Sequence, residues 1–182
     1  MSETTFEVYN FYITEAGESL LLDAQFGGSQ VKLTHIAVGT ESYDPSTKVN
    51  QTALVSEVDR AEVRSFKRVD KTLQMAAIFD NPDKAYNVGE ISLVTEEGVH
   101  FAVYSRPGKL IGAKTNAGRF MPRFGMAVDL IPSEAINVSL AGDNLNLVLT
   151  PELARFTLAQ IRSSRVQISI LHREVKQIIN QN

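Results

Sequence analysis

Three histidines, His35, His100 and His172, are the residues best suited to metal ligation or proton transfer. An imidazole binds a metal through either ring nitrogen and titrates near neutrality. None of the three pairs with another histidine at metal-ligand spacing, so no metal site is expected. His35 and His100 read as strand residues with local hydrogen-bond partners, and His172 as a solvated residue near the seam of a C-terminal helix. The chain contains no cysteine, which excludes disulfides, thiolate nucleophiles and cysteine-ligated metals. Gly108 to Thr115, GKLIGAKT, has the outline of a phosphate-binding loop. That loop needs glycine directly before its lysine and a helix starting there, whereas Ala113 precedes Lys114 and Asn116-Ala117-Gly118 follows.

Paired carboxylates fare no better. Glu57, Arg60 and Glu62 are spaced for an ion-pair cluster, and Asp80 and Asp83 flank a turn, but neither group has the nucleophile or base that completes a catalytic set. No G-x-S-x-G occurs among the serines. The expectation is no enzyme and no cofactor. Asn50-Gln51-Thr52 and Asn137-Val138-Ser139 match glycosylation sequons, which carry no meaning without secretion.

Charge is the remaining signal. The net charge is −3, which speaks against nucleic-acid binding by the chain as a whole. It is unevenly distributed. Residues 2–30 hold Glu3, Glu7, Glu15, Glu18 and Asp23 and no basic residue; between Gly98 and Val128 lie Arg106, Lys109, Lys114, Arg119 and Arg123 and no acid. The basic stretch has little aromatic interleaving, so it reads as a solvated loop or a site for an acidic protein partner rather than a nucleic-acid groove. The acidic arm is a candidate counterpart in a neighbouring subunit.

The elements that carry these residues follow from periodicity. With 182 residues and 43% hydrophobic content, the chain suffices for one domain with a sizeable core and an appendage. Phe6, Val8 and Tyr12 suggest a short opening strand. Thr14 is placed to cap a helix over about 15–25, with Glu15 and Glu18 in its first turn and Gly27-Gly28 as its stop. Strands are expected at 31–38, 60–66, 73–79, on both arms of a hairpin spanning 88–105, and over 120–130, 136–140 and 145–149. The hairpin is the clearest. Ile91 and Leu93 alternate with Glu90, Ser92 and Val94; Val99, Phe101 and Val103 alternate with His100, Ala102 and Tyr104; and Gly98 supplies the φ > 0 that its turn requires. Ala53-Leu54-Val55 fits a short helix or an extended segment equally well.

Thr150-Pro151-Glu152 has the cap, the N1 proline and the first-turn acid of a helix start, with no Gly or Pro from there to Asn180. Ile161, Ile168 and Val175 fall seven apart, and Leu171 and Ile178 each lie three beyond a member of that set. Ser164 interrupts the seam. This a/d pattern predicts an oligomer interface at Ile161, Ile168, Leu171, Val175 and Ile178, although a helix packing back on its own domain is also consistent with it. The seam mixes dimer and trimer preferences. The expected fold class is therefore α+β, mainly β: an antiparallel sheet domain with one N-terminal helix over residues 1–149, then a long coiled-coil-type helix over 150–182. The opening residues lack the apolar core of a signal peptide, and no apolar run approaches the roughly 20 residues that span a bilayer, so synthesis in a cytoplasm without membrane insertion is expected.

Several stretches together resemble the N-terminal domain of phage tail-collar fibre proteins. They are Ile13 to Gly17 followed by Leu20-Leu21 and Ala24; Val31 to Gly39 running into Tyr43-Asp44-Pro45; Ala53-Leu54-Val55 with Glu57 and Arg60; and Gly89 to Leu93, Gly98 and Phe101 to Tyr104. Glycine is commoner in the family where Ser92 stands. The resemblance extends over about residues 11–140. It implies a virion structural protein made in the host bacterial cytoplasm: the proximal part of a tail fibre, docking on the baseplate of a contractile or other long-tailed phage or phage-tail-like particle. Implied partners are baseplate or tail proteins, a distal fibre or adaptor protein, and further copies of the chain, commonly as a trimer; no catalytic residues are implied. Both a short fibre and a piece of a longer chain fit the ending at Asn182. A host-surface or carbohydrate-binding adhesin is the alternative, and it requires a pocket lined with exposed aromatics.

Overall fold

Residues 8–48, 50–127, 135–140, 142 and 144 are described in the computed structural model. They run in the order β1 (Val8–Tyr9), β2 (Tyr12–Ile13), α1 (Glu15–Gly27), β3 (Val31–Gly39), a 3-10 turn (Pro45–Thr47), β4 (Glu57–Val69), β5 (Thr72–Ala77), β6 (Tyr86–Val88), β7 (Glu90–Thr95), β8 (His100–Ser105), β9 (Gly112–Lys114), β10 (Arg123–Ala127) and β11 (Ile136–Val138). Nine strands form one curved, half-barrel sheet in the order β1-β10-β5-β4-β3-β7-β8-β2, with β11 beside β3; β6 and β9 pair separately. The 13-residue β4 joins the two halves. Its Glu57–Glu62 portion pairs with β3, and the portion from Val63 to Val69 pairs with β5, across a register shift between Val63 and Ser65. Most pairings are antiparallel as expected, but β1 runs parallel to β10 and β11 parallel to β3.

The two margins of the sheet are held by one short segment. β1 lies on β10 at one margin and β2 on β8 at the other, and only Asn10 and Phe11 separate them in sequence. Aromatic rings fill the gap. Tyr9 stacks on Tyr104 of β8 with centroids 4.2 Å apart, and Phe11 sits 5.2 Å from Phe124 of β10. Aromatic pairs of this kind contribute about 0.5–1.5 kcal/mol beyond their burial, so residues 8–13 act as a clasp across the open side of the half-barrel.

Helix α1 forms where the capping signal placed it. The Thr14 hydroxyl accepts from Gly17 N at 3.0 Å and donates to His100 O at 2.7 Å, tying the helix start to β8. Gly17 allows this approach, because a Cβ there would meet Phe101 O at 2.2 Å. Gly28 ends the helix in the left-handed conformation, at the expected Gly27-Gly28 stop, and the helix runs to Gly27, two residues past the expected end near 25. The core beneath is built from Leu33, Ile36, Val38, Leu73, Met75, Phe79, Ile91, Leu93, Phe101, Phe124 and Met126, and a smaller cluster gathers Ala37, Leu54, Val94 and Val103.

The hairpin departs from simple alternation. Leu93 pairs with Ala102 and Val94 with His100, so Phe101 is an extra residue on β8. Such a bulge turns two successive residues to one side, and both Phe101 and Ala102 enter the main core. Val103 and Ser105 thereby share the second face with Ser92 and Glu90. That face is buried as well: every residue of β7 and β8 is buried, because the 40–56 loop covers what the alternation leaves for solvent.

The expected fold class needs correction. The described fold is mainly β with one helix, and no long C-terminal helix belongs to it. That expectation rested on the Thr150-Pro151-Glu152 start and on heptad spacing, and a helix draws most of its stability from a face to pack against, which neither supplies. Residues 150–182, and with them Ile161, Ile168, Leu171, Val175 and Ile178, lie outside the described residues, as do His172 and the expected strand at 145–149.

Candidate functional site

The second face of the β7–β8 hairpin gathers the polar residues that the sequence leaves scattered. His100 Nδ1 lies 2.9 Å from Ser92 Oγ, and its Nε2 lies 3.2 Å from Arg60 Nη2 and 3.4 Å from Glu57 Oε2. Arg60 in turn grips Glu57 through Nε at 2.9 Å and Nη2 at 3.0 Å. Serine, histidine and glutamate in line are the ingredients of a nucleophile, a base and its orienting acid. Proton direction rules that use out. Burial lowers the His100 pKa, with Glu57 opposing and Arg60 adding to the shift, so the ring is neutral at neutral pH. A guanidinium only donates, so Nε2 accepts and Nδ1 carries the hydrogen that it gives to Ser92 Oγ. The Ser92 hydroxyl then donates to Ala102 O at 3.1 Å. Histidine is donating to the serine rather than drawing a proton from it, and Ser92 is fully buried, out of reach of any substrate.

Glu90 is the second buried polar group on that face. Its carboxyl oxygens accept from Val55 N at 3.0 Å and Ser56 N at 2.8 Å, and Gly39 leaves it room, since a Cβ on Gly39 would stand 2.3 Å from Glu90 Oε1. Tyr43 joins the cluster. Burial raises its phenol pKa, a hydrogen bond from Gln51 opposes that, and Glu90 adds to it. Ser105 Oγ completes the seam by donating to Gly89 O at 2.8 Å while accepting from Tyr43 N at 3.0 Å. The loop over residues 40–56 is thus pinned to β7 and β8 by backbone-to-side-chain bonds at both ends.

Two further clusters do the same elsewhere. Asp59 accepts from Lys84 Nζ at 2.8 Å, Tyr86 OH at 2.9 Å and Arg60 N at 3.1 Å. Burial pushes its carboxyl up, but these hydrogen bonds outweigh burial and leave it below the ordinary value; burial and then Asp59 push the Tyr86 phenol up. Lys114, from the rejected phosphate-loop motif, is buried and donates to the carbonyls of Lys84 at 3.0 Å, Thr115 at 3.1 Å and Gly118 at 3.4 Å. It closes a loop instead of offering its charge to a ligand. Among the described residues every buried side-chain nitrogen or oxygen has a hydrogen-bond partner, and no group of three or more potential metal ligands occurs. His35 bonds its neighbour Thr34 at 2.8 Å, as a lone strand histidine should. Glu62 pairs with Arg64 at 3.5 Å rather than joining Glu57 and Arg60.

A cleft of about 400 Å³ opens between the N-terminal clasp and the 3-10 turn, lined by Asn10, Phe11, Tyr12, Asp44, Tyr104 and Arg106 among others. These residue types suit a sugar, but Tyr104 and Asp44 are engaged within the chain. Tyr9 lies parallel to the Tyr104 ring at 4° and occupies one face of it. Asp44 Oδ1 accepts from Ser46 N at 3.0 Å and Ser46 Oγ at 2.7 Å. No helix among the described residues is long and apolar enough to cross a membrane.

What the sequence missed here is the burial of Glu90, Ser92 and Lys114 and the convergence of Glu57 and Arg60 on His100. One signal was present: Glu90 and Ser92 are polar residues alternating with the apolar Ile91 and Leu93, on a hairpin central to the sheet.

A half-barrel sheet whose polar groups are spent on pinning loops defines a structural module. Residues 6–109 match the family of phage tail-collar fibre proteins over their N-terminal region, more than half of the chain, and the chain belongs to that family. The match starts earlier than the expected 11–140 and stops short of its end. Family membership makes the chain a structural component of a phage tail fibre, located in the virion tail in association with other tail components. No curated relative and no solved structure matches it.

Proposed function

We propose that residues 1–149 form the attachment module that docks a tail fibre onto the baseplate, with the chain assembled as a homo-oligomer, a trimer by analogy with the family. The family match carries this reading. The buried network supports it physically: a joint under load needs loops that do not yield, and fully bonded polar clusters rigidify what they hold. A distal fibre or adaptor protein would follow beyond residue 150, and synthesis would take place in the host bacterial cytoplasm. Ile161, Ile168, Leu171, Val175 and Ile178 are proposed as contacts between chains on their spacing alone. The adhesin alternative wants free aromatic faces and free polar groups, whereas in the cleft beside the clasp Tyr9 covers one face of Tyr104 and Ser46 takes up Asp44 Oδ1.

Imaging of assembled particles with and without this chain tests the reading. Density for the half-barrel is expected at the junction of fibre and baseplate, and its loss should release the fibre. Fibres that remain on the baseplate of particles lacking the chain would overturn it.

A further inference from the structure

Among the described residues the exposed large hydrophobics are few, and four of them sort into two patches of opposite charge. The first patch is a line along α1. Glu15, Glu18, Leu22 and Phe26 recur at intervals of three and four residues, which places them on one face of a helix, and all are exposed. Phe26 is 89% exposed and Leu22 54%, while the opposite face buries Gly17 and Ala24 against the sheet. Asp23 flanks the line, and no basic residue lies between positions 8 and 30.

The second patch lies on the 106–123 segment, where Leu110 is 56% and Met121 48% exposed. Arg106, Lys109, Arg119 and Arg123 of the same segment are exposed as well, and no acid falls between Gly98 and Ala127 in the sequence. Lys114 is not part of this surface, because its charge is buried among carbonyls. The segment is anchored on both sides: Ile111 N donates to Val88 O at 2.7 Å, and Phe120 exchanges both backbone hydrogen bonds with Phe79.

We infer that the outer face of α1 docks on the 106–123 surface of a second copy of this chain, head to tail. Each segment offers two large exposed apolar side chains and carries charged residues of one sign, and the other segment is its match in both respects, although Asp44 sits near Arg106 at the rim of the basic one. The two do not meet within one chain, since α1 is fastened to β8 through Thr14 and Gly17 and Phe26 remains almost fully open. A contact between two different patches is heterologous, and it closes into a ring when the rotation between copies allows. The inference names the surfaces of the oligomer proposed above. It is tested on the isolated chain, so its failure leaves docking to the baseplate untouched.

The absence of cysteine makes the test direct. The full chain is prepared with Phe26→Cys, with Met121→Cys, with Leu110→Cys, and with Phe26→Cys combined with each of the other two, then mildly oxidised. Covalent dimers and larger ladders are expected from at least one double variant, at five-fold or more the yield of its single variants. Adding Glu18→Lys and Asp23→Lys should cut that yield about ten-fold. Adding Lys109→Glu and Arg119→Glu as well should restore it, and 1 M salt should weaken it in the unreversed chain. Double variants that cross-link no better than single ones overturn the inference. So does Phe26→Cys cross-linking efficiently by itself, which would mean that two α1 helices meet symmetrically, and so does a yield indifferent to charge reversal.

Discussion

The second face of the β7–β8 hairpin and the outer face of α1 invert each other's chemistry. On the hairpin, Glu90, Ser92 and His100 are polar and buried; on the helix, Leu22 and Phe26 are apolar and exposed. Of the two, the helix face is the one turned outward to a partner. A buried polar group is tolerated when its bonds are complete, and then it fixes geometry without reaching a ligand. An exposed apolar pair has no such internal account and marks a surface for association. Composition alone would have assigned these roles the other way round, reading the polar cluster as the site and the apolar stripe as core.

The hairpin face is most easily undone at Glu90. Glu90→Ala removes the acceptor for Val55 N and Ser56 N and opens space beneath the 40–56 loop. The two bonds are part-buried, so each freed N–H can still reach water and the lost bonds cost about 1 kcal/mol apiece; with the space left by the buried side chain, a loss of about 2–4 kcal/mol is expected in urea unfolding. A variant as stable as the parent would mean that the loop finds other partners and is not held by this carboxyl. Gly39→Val attacks the same contact from the other side. A side chain there runs into Glu90 Oε1 and Ser56 O, and overpacking of this kind costs about 1–3 kcal/mol.

His100 gives the pH dependence. Its folded pKa lies below 6.5 through burial, so on acidification the unfolded chain takes up the proton first. Stability from this group is complete above pH 6.5 and is lost as pH falls from there toward the folded value. Asp59, also lowered, acts in a separate window below pH 3.8. Thermal midpoints should therefore drop between pH 7 and pH 5, and His100→Gln, which keeps a donor for Ser92 and an acceptor for Arg60, should flatten that drop. An equal slope in the variant would assign the dependence to other groups.

Much of the frame was legible because it depends on local rules. The Thr14 cap, the Gly98 turn at φ 84° and the strand from Val31 to Gly39 are matters of side-chain hydrogen bonding, φ preference and period two. The candidate site was not, because its contacts are long-range. Glu57 and Arg60 reach His100 across some 40 residues, and Lys114 meets Lys84 O across 30. The bulge at Phe101 hid the sharing of faces between β7 and β8, since strict alternation cannot register one inserted residue. The parallel pairing of β11 with β3, and the clasp of β1 and β2, also depend on how the sheet curves, which no window of sequence reports.

The smallest expected effect sharpens the inversion most. Phe26→Ser removes the largest exposed apolar side chain among the described residues, and since Phe26 is 89% exposed there is little burial to lose. Substitutions at such positions stay within about 0.5 kcal/mol, so the urea midpoint of the dilute chain should hardly move. Set against Glu90→Ala, the pair reverses the ordinary rule: here deleting a carboxylate destabilises and deleting an aromatic ring does not. If Phe26→Ser instead lowers the midpoint strongly at low concentration, the ring is covered within its own chain and the α1 face is no surface for a partner. A midpoint that falls only at high protein concentration carries the opposite meaning, because stability that depends on concentration is stability supplied by another copy.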